Sequence, residues 1–316
     1  MVVFVTGGTG VLGRPTIRRL VAASHTVRGL ARSDSNERLL ELLGAEPMRA
    51  SLFDPAAMRG AVRDAEAVLH LATNIPSFRD APRERAWRQN DRIRTEGTRN
   101  LVDAALTTGT TTFVYPSVCL VYPDRGSQWI DADATEPGEL PPVLRSTVAA
   151  ESEVARFSAS GGRGIVLRMG AFYAPDAGST LDMLGLARPG LAPFIGCKDA
   201  FVSHIWVDDA SAAVAAALER APAGVYDVVD DEPLGRGELV GLVARAVGRR
   251  RLLVPPTLLI RLTAGRKALF VARSQRVSNR RFKPATGWAP MVPSAREGWA
   301  RIAAHCRAPI GTQSQE

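Results

Sequence analysis

The run Thr6-Gly7-Gly8-Thr9-Gly10-Val11-Leu12-Gly13 lies directly between an apolar strand pattern, Val2 to Thr6, and a helical pattern from Arg14 to Ala23. Nothing else in the chain restricts its folding options as strongly. A strand that turns at once into a helix needs glycine where φ is positive, where backbone approaches a ligand, and where helix and strand pack closely. The open helix N-terminus then offers free N–H groups and the positive end of the helix dipole to an anion. In this strand–turn–helix setting the G-x-G-x-x-G spacing reads as a dinucleotide pyrophosphate site, with contacts expected from Gly7, Gly10, Val11, Leu12 and Gly13.

The second strand pattern, His25 to Leu30, runs into Ala31-Arg32-Ser33. An acid at this place holds the ribose 2′-hydroxyl of NAD, whereas an arginine accommodates the 2′-phosphate of NADP. No acid stands at the expected position, and Arg32 with Ser33 can ligate a phosphate through charge-assisted hydrogen bonds. NADP(H) is therefore expected in preference to NAD(H). A register slip that made Asp34 the acid reverses that preference.

Further strand patterns fall at Ala67 to Leu71, Thr112 to Ser117 and Gly164 to Arg168, with helical patterns between them. Such alternation predicts an α/β fold, a Rossmann-type doubly wound parallel sheet covered on both faces. Between Asp91 and Leu106 the residues Ile93, Gly97, Leu101, Ala104 and Ala105 recur at helical spacing and predict one face lying on the sheet. After residue 170 the regularity falls, with Pro175, Pro189 and Pro193, and resumes at Asp208 with the helical stripe Ala210, Ala213, Val214, Ala217 and Leu218 and a strand at Val225 to Val229. The expected organisation is a Rossmann domain over 1–170, a small C-terminal substrate lobe over 171–307 with segments returning to the Rossmann core, and a frayed tail over 308–316.

The 46% of hydrophobic and 23% of charged residues among 316 suit a chain that folds by burial and exclude disordered, collagenous and disulfide-scaffold classes. Cys119, Cys197 and Cys306 fit no zinc or redox spacing, so no metal site is expected and all three are read as packing residues of a cytoplasmic protein. A strand pattern that starts at residue 2 leaves no room for a secretion signal. The longest apolar stretch, Leu252 to Leu262, is broken by Pro255, Pro256 and Arg261, so no membrane span is expected. The net charge of +8 comes almost wholly from scattered arginines, only Lys198, Lys267 and Lys283 being lysines, which points to a solvated basic surface and not to nucleic acid.

The glycine turn is joined by Leu69-His70-Leu71-Ala72-Thr73, by Asn90 with Gly97-Thr98-Arg99-Asn100-Leu101, and by Ser117 to Tyr122. Leu167-Arg168, Phe172-Tyr173-Ala174-Pro175, Val207-Asp208-Asp209-Ala210 and Gly287-Trp288-Ala289-Pro290 follow. With these the chain resembles, over nearly its whole length, the extended short-chain dehydrogenase/reductase superfamily, which contains the NAD-dependent epimerases and dehydratases. The resemblance implies further cofactor contacts from Leu52, Ala72, Ser117 and Gly170, and a homodimer built on the helices at Asp91 to Leu106 and Ser146 to Ser158.

It also implies a Tyr-x-x-x-Lys pair with an upstream hydroxyl. In that pair the tyrosine exchanges a proton with the substrate oxygen, while the lysine lowers its pKa and holds the ribose. Here the tyrosine position is Val143, the lysine position Thr147 and the hydroxyl position Val118, with Ser117 beside it. No tyrosine lies between Tyr122 and Tyr173 and no lysine precedes Lys198, so a shift of alignment does not restore the pair. Ser117, Tyr122, Arg145 and Tyr173 are the candidate replacement donors, and His204 is the one histidine placed near the Val207-Asp208-Asp209 segment. The asparagine and arginine common in sugar-nucleotide enzymes fall at Ala171 and Val202, favouring a small, less polar substrate. The expected function is an NADP(H)-dependent oxidoreductase acting on a small carbonyl or alcohol with a non-standard proton donor. A dehydratase, isomerase or cyclase without net redox, and a non-catalytic NADP-binding sensor, are the alternatives.

Overall fold

The computed structural model describes residues 1–133, 136–255 and 270–307. Part of the apolar stretch at 252–262 and all of the tail at 308–316 lie outside them. Seven parallel strands form one sheet: β1 (Val2–Thr6), β2 (Thr26–Ala31), β3 (Glu46–Arg49), β4 (Ala67–His70), β5 (Thr112–Val118), β6 (Arg163–Met169) and β7 (Gly224–Val228), in the order β7-β6-β5-β4-β1-β2-β3. The strand order reverses at β1, which pairs with β2 on one side and β4 on the other. Ligands of doubly wound sheets bind outside the carboxyl ends of the strands at such a switch point. The inner strands are apolar on both faces because helices cover both, β4 being buried at every residue.

One face carries α1 (Gly13–Ala22) and α8 (Val207–Arg220), around Val3, Val5, Ile17, Leu20, Val114, Leu167, Val214 and Tyr226. The other carries α3 (Pro55–Val62), α5 (Thr98–Thr108) and α6 (Pro142–Ala159), around Phe4, Met58, Val68, Leu101, Phe113, Tyr115 and Phe157. A third apolar cluster joins α7 (Gly178–Ala187), α9 (Arg236–Ala246) and α10 (Ala295–Arg307), centred on Tyr173, Leu184, Leu239, Val243 and Trp299. α2 (Asp34–Leu42) covers β2 and β3.

Several expectations need correction. The helix expected over Asp91 to Leu106 begins earlier, as α4 (Glu84–Arg92), passes through a π-helical turn at Ile93–Gly97 and continues as α5. The apolar stripe lies on the sheet as expected, but the extra residue of a π turn has no signature in the periodicity. β3 carried no legible strand pattern because it is an edge strand with Pro47 in it and none of its residues is fully buried. Cys119 is buried, whereas Cys197 and Cys306 are exposed, one in a loop and one in the last turn of α10.

Candidate cofactor and active site

The glycine turn is built by close backbone approach. Gly7 has φ of +72°, and a Cβ there would lie 2.6 Å from the Ala72 backbone, while a Cβ on Gly13 would lie 2.1 Å from the Gly7 carbonyl oxygen. No other residue fits either position without moving the end of β4 or the start of α1. The turn is closed by the Gly10 N–H donating to the Gly7 carbonyl at 3.0 Å, and the first turn of α1 contains no acid. Leu12 and Gly13 are buried beneath it, while Gly7, Gly10 and Val11 stay accessible at its surface. The cradle therefore fits a pyrophosphate, which needs bare backbone, an open helix end and no competing anion.

Arg32 is exposed and has no ion pair among the described residues. Ser33 caps α2, its hydroxyl accepting from the Asn36 N–H, and meets the Ser35 hydroxyl at 2.9 Å. Asp34 is held by Arg49 at 2.7 Å, and that contact keeps its carboxyl below the usual carboxylate range. On the other flank of the turn, the Leu52 carbonyl accepts from Asn100 Nδ2 at 3.1 Å and the Asn74 N–H donates to Asn90 Oδ1 at 3.0 Å. These two asparagines pin the loops after β3 and β4. Gly170 is buried where a Cβ would meet the His204 backbone at 2.7 Å.

The hydroxyls at and just after the end of β5 belong to a buried network. Ser117 Oγ donates to Glu151 Oε1 at 2.5 Å, and Arg168 donates to both carboxylate oxygens of Glu151, at 3.2 and 2.8 Å. The Arg168 guanidinium lies 4.9 Å from the centre of the Tyr122 ring, and the Tyr122 hydroxyl donates to Asp227 at 2.8 Å. Burial, then the neighbouring Asp227, pushes the Tyr122 phenol above the ordinary range. Burial pushes the Asp227 carboxyl up to about 7, against the pull of the Tyr122 hydrogen bond and Arg168.

The other sequence candidates disperse. Tyr173 is fully buried, packs edge-on against His204 and Trp206 and donates to the Ser294 carbonyl at 3.3 Å. His204 is buried with both ring nitrogens lacking partners, and burial lowers its pKa to about 4. Arg145 is exposed on α6. Val143 is half-buried and Thr147 fully buried on the same helix. A separate cavity of about 270 Å³, lined by Trp129, Phe201, Glu232, Glu238, Arg276 and Arg296, touches none of the glycine-turn residues.

Sequence reasoning passed over Arg94 and the carboxylate of Asp227. Arg94, in the π turn, is buried, and its Nη1 donates to Thr147 Oγ1. Its signal was present: it stands beside Ile93 and three residues before Gly97, on the stripe that faces the sheet. No helix among the described residues is long and apolar enough to cross a membrane, and no cluster of three or more His, Cys, Asp or Glu able to hold a metal occurs among them.

The comparisons agree with this architecture. The 3-diazoavenalumate denitrifying reductase of a Streptomyces species is 34% identical over 314 residues, covering 95% of this chain and 100% of that protein. The 2-alkyl-3-oxoalkanoate reductase of Stenotrophomonas maltophilia is 28% identical over 269 residues, covering 80% of this chain and 77% of that protein. Among solved structures, a UDP-glucose 4-epimerase from Thermotoga maritima superposes with a TM-score of 0.79 at 21% identity, covering 97% of this chain and 99% of that one. A human epimerase family protein solved with NADPH gives 0.75 at 22% identity, covering 96% and 99%. The model of the NAD-dependent epimerase/dehydratase family matches residues 3–228, and this chain belongs to that family.

Proposed function

We propose that the chain is an NADP(H)-dependent reductase that delivers hydride to a small organic acceptor whose reduction needs no proton from a tyrosine. The observation that carries this reading is the state of the hydroxyls. Val143 and Thr147 stand where the tyrosine and lysine are expected, Ser117 and Tyr122 donate to buried carboxylates, and Tyr173 donates to a backbone carbonyl. A side chain committed to a buried carboxylate is a poor proton donor to substrate, because releasing it leaves the carboxylate unpaired in a low-dielectric site.

In this reading Gly7, Gly10, Val11, Leu12 and Gly13 hold the pyrophosphate, Leu52 and Ala72 flank the adenosine side, and Ser117 and Gly170 bound the nicotinamide side. Arg32 and Ser33 receive the 2′-phosphate. Two facts support that preference: Arg32 is free of carboxylates among the described residues, and Asp34 is occupied by Arg49. The nicotinamide, when bound, supplies the hydride.

An aryldiazonium carbon suits such a site, since hydride replaces dinitrogen as it leaves, the cation's charge is neutralised and no alkoxide or carbanion forms to be protonated. The name of the Streptomyces relative, which covers 95% of this chain, favours this acceptor. A carbonyl acceptor, protonated by water or a non-standard donor, is the second reading, favoured by the name of the Stenotrophomonas relative. Single-turnover oxidation of 4-deuterated NADPH, against an aryldiazonium salt and a 3-oxoalkanoate, tests both. Deuterium carried into a denitrogenated product faster than in buffer alone supports the first, and deuterium in a hydroxyacid the second. Bound NADPH that neither compound oxidises counts against a reductase of either class.

A further inference from the structure

We propose that Arg94 takes over the place of the missing lysine, holding the nicotinamide-side half of the dinucleotide as a fixed cation that relays no proton. The inference rests on the dinucleotide reading above. Three arginines are buried among the described residues: Arg94, Arg168 and Arg236. Arg168 is neutralised by Glu151, and Arg236 donates to the carbonyls of Val271, Ala272 and Arg273. Arg94 differs. It is 3% exposed, its Nε has no acceptor, its Nη1 donates to Thr147 Oγ1, and no carboxylate among the described residues pairs with it.

A guanidinium presents five N–H donors, and burying it with one side-chain acceptor is costly unless a polar partner completes the set. The Tyr115 hydroxyl and His70 Nε2 nearby are likewise buried without partners. His70 is kept neutral, its pKa lowered to about 4 chiefly by burial and in part by Arg94. Among the described residues, then, no carboxylate is paired with Arg94 to balance its charge.

Its placement says what the partner is. The glycine turn after β1 is the centre of the site. The β2 flank, with Arg32, lies on one side of it, and β4 and β5 lie on the other. Arg94 follows β4, and Thr147 stands on α6 against β5, so the guanidinium sits on the flank away from the adenosine end. The π turn sets it there, with Gly97 leaving room for Leu52 to pack where a Cβ would lie 2.6 Å away.

The chemistry explains why two positions changed together. A lysine in this slot both tunes the tyrosine and binds ribose. With valine at 143 the tuning has no object, and only the binding remains. A planar fork of fixed donors binds neighbouring hydroxyls well and does not release a proton as an ammonium can.

The test compares two ligands on the whole chain. NADPH is titrated by fluorescence, and adenosine 2′,5′-bisphosphate, which lacks the nicotinamide half, by calorimetry. Arg94→Ala is expected to weaken NADPH by roughly tenfold or more, the worth of a charge-assisted hydrogen bond, and to leave the bisphosphate within about twofold. The double variant Arg94→Ala/Thr147→Lys, which returns a cation to the slot, is expected to regain most of the NADPH affinity. Equal weakening of both ligands, or no weakening of either, overturns the proposal, as does a folded double variant without recovery. If Arg94→Ala does not fold, Arg94→Gln is read in the same two titrations. A wild-type chain that binds no NADPH sinks the dinucleotide reading itself, an outcome distinct from the others.

Discussion

At the scale of single residues, the buried charges govern what the site can do. Breaking an ion pair that is nine-tenths buried leaves the partner charge stranded, and this costs about 3–5 kcal/mol. Arg168→Met is expected to lose stability of that order in chemical denaturation, and Arg168→Met/Glu151→Leu to lose less than the single variant, because the pair leaves together. Asp227 gives a pH signature. Its folded pKa of about 7 lies above the unfolded value near 3.8, so between those limits the native state holds a proton that the unfolded chain has released. Stability from this group is therefore present at low pH and lost as pH rises towards 7. Asp227→Asn keeps an acceptor for Tyr122 and should gain steadily in melting temperature relative to wild type from pH 4 to 7, then level off. A constant gap across that range would place the titration elsewhere.

At the scale of elements, the turn between β1 and α1 depends on glycine by contact as much as by dihedral angle. Gly13→Ala puts a methyl 2.1 Å from the Gly7 carbonyl oxygen and 2.7 Å from the Gly8 Cα. Either α1 moves off the sheet or the turn opens. NADPH binding measured by fluorescence should disappear, together with a loss of stability in the range of about 1–3 kcal/mol typical of overpacking. On the proposed reading, Arg32 just after the end of β2 favours NADPH over NADH. Arg32→Ala is expected to weaken NADPH by roughly 10- to 100-fold, as expected for a lost hydrogen bond to a charged group, with NADH unchanged. Equal losses for both dinucleotides would remove the 2′-phosphate role. The π turn between α4 and α5 makes the complementary point, because one extra residue in a helix carries a buried cation to α6.

At the scale of the whole molecule, opposing titrations overlap. His70 and His204 have folded pKa values of about 4 against 6.5 when unfolded, both chiefly through burial. The unfolded chain thus binds protons first, and stability is lost as pH falls from about 6.5 to about 4, opposite in sense to Asp227. His204→Phe, which keeps an aromatic ring against Tyr173 and Phe194, should gain on wild type as the buffer is taken from pH 7 to 4.5. A variant that tracks wild type throughout would mean that the ring is not shielded in solution.

Local pattern was enough for the α/β class, the strand–glycine–helix entry, the apolar faces and the family, since these rest on periodicity and on steric demands that a few neighbouring residues state in full. It also led to the expectation that Val143 and Thr147 stand in place of a tyrosine–lysine pair. Which polar groups are already committed became visible only in the folded chain. Ser117 meets Glu151 across 34 residues, Tyr122 meets Asp227 across 105, and Arg94 meets Thr147 across 53. Hydrogen bonds between distant segments depend on how the sheet brings β5, β6, β7 and α6 together, and no local pattern encodes that distance.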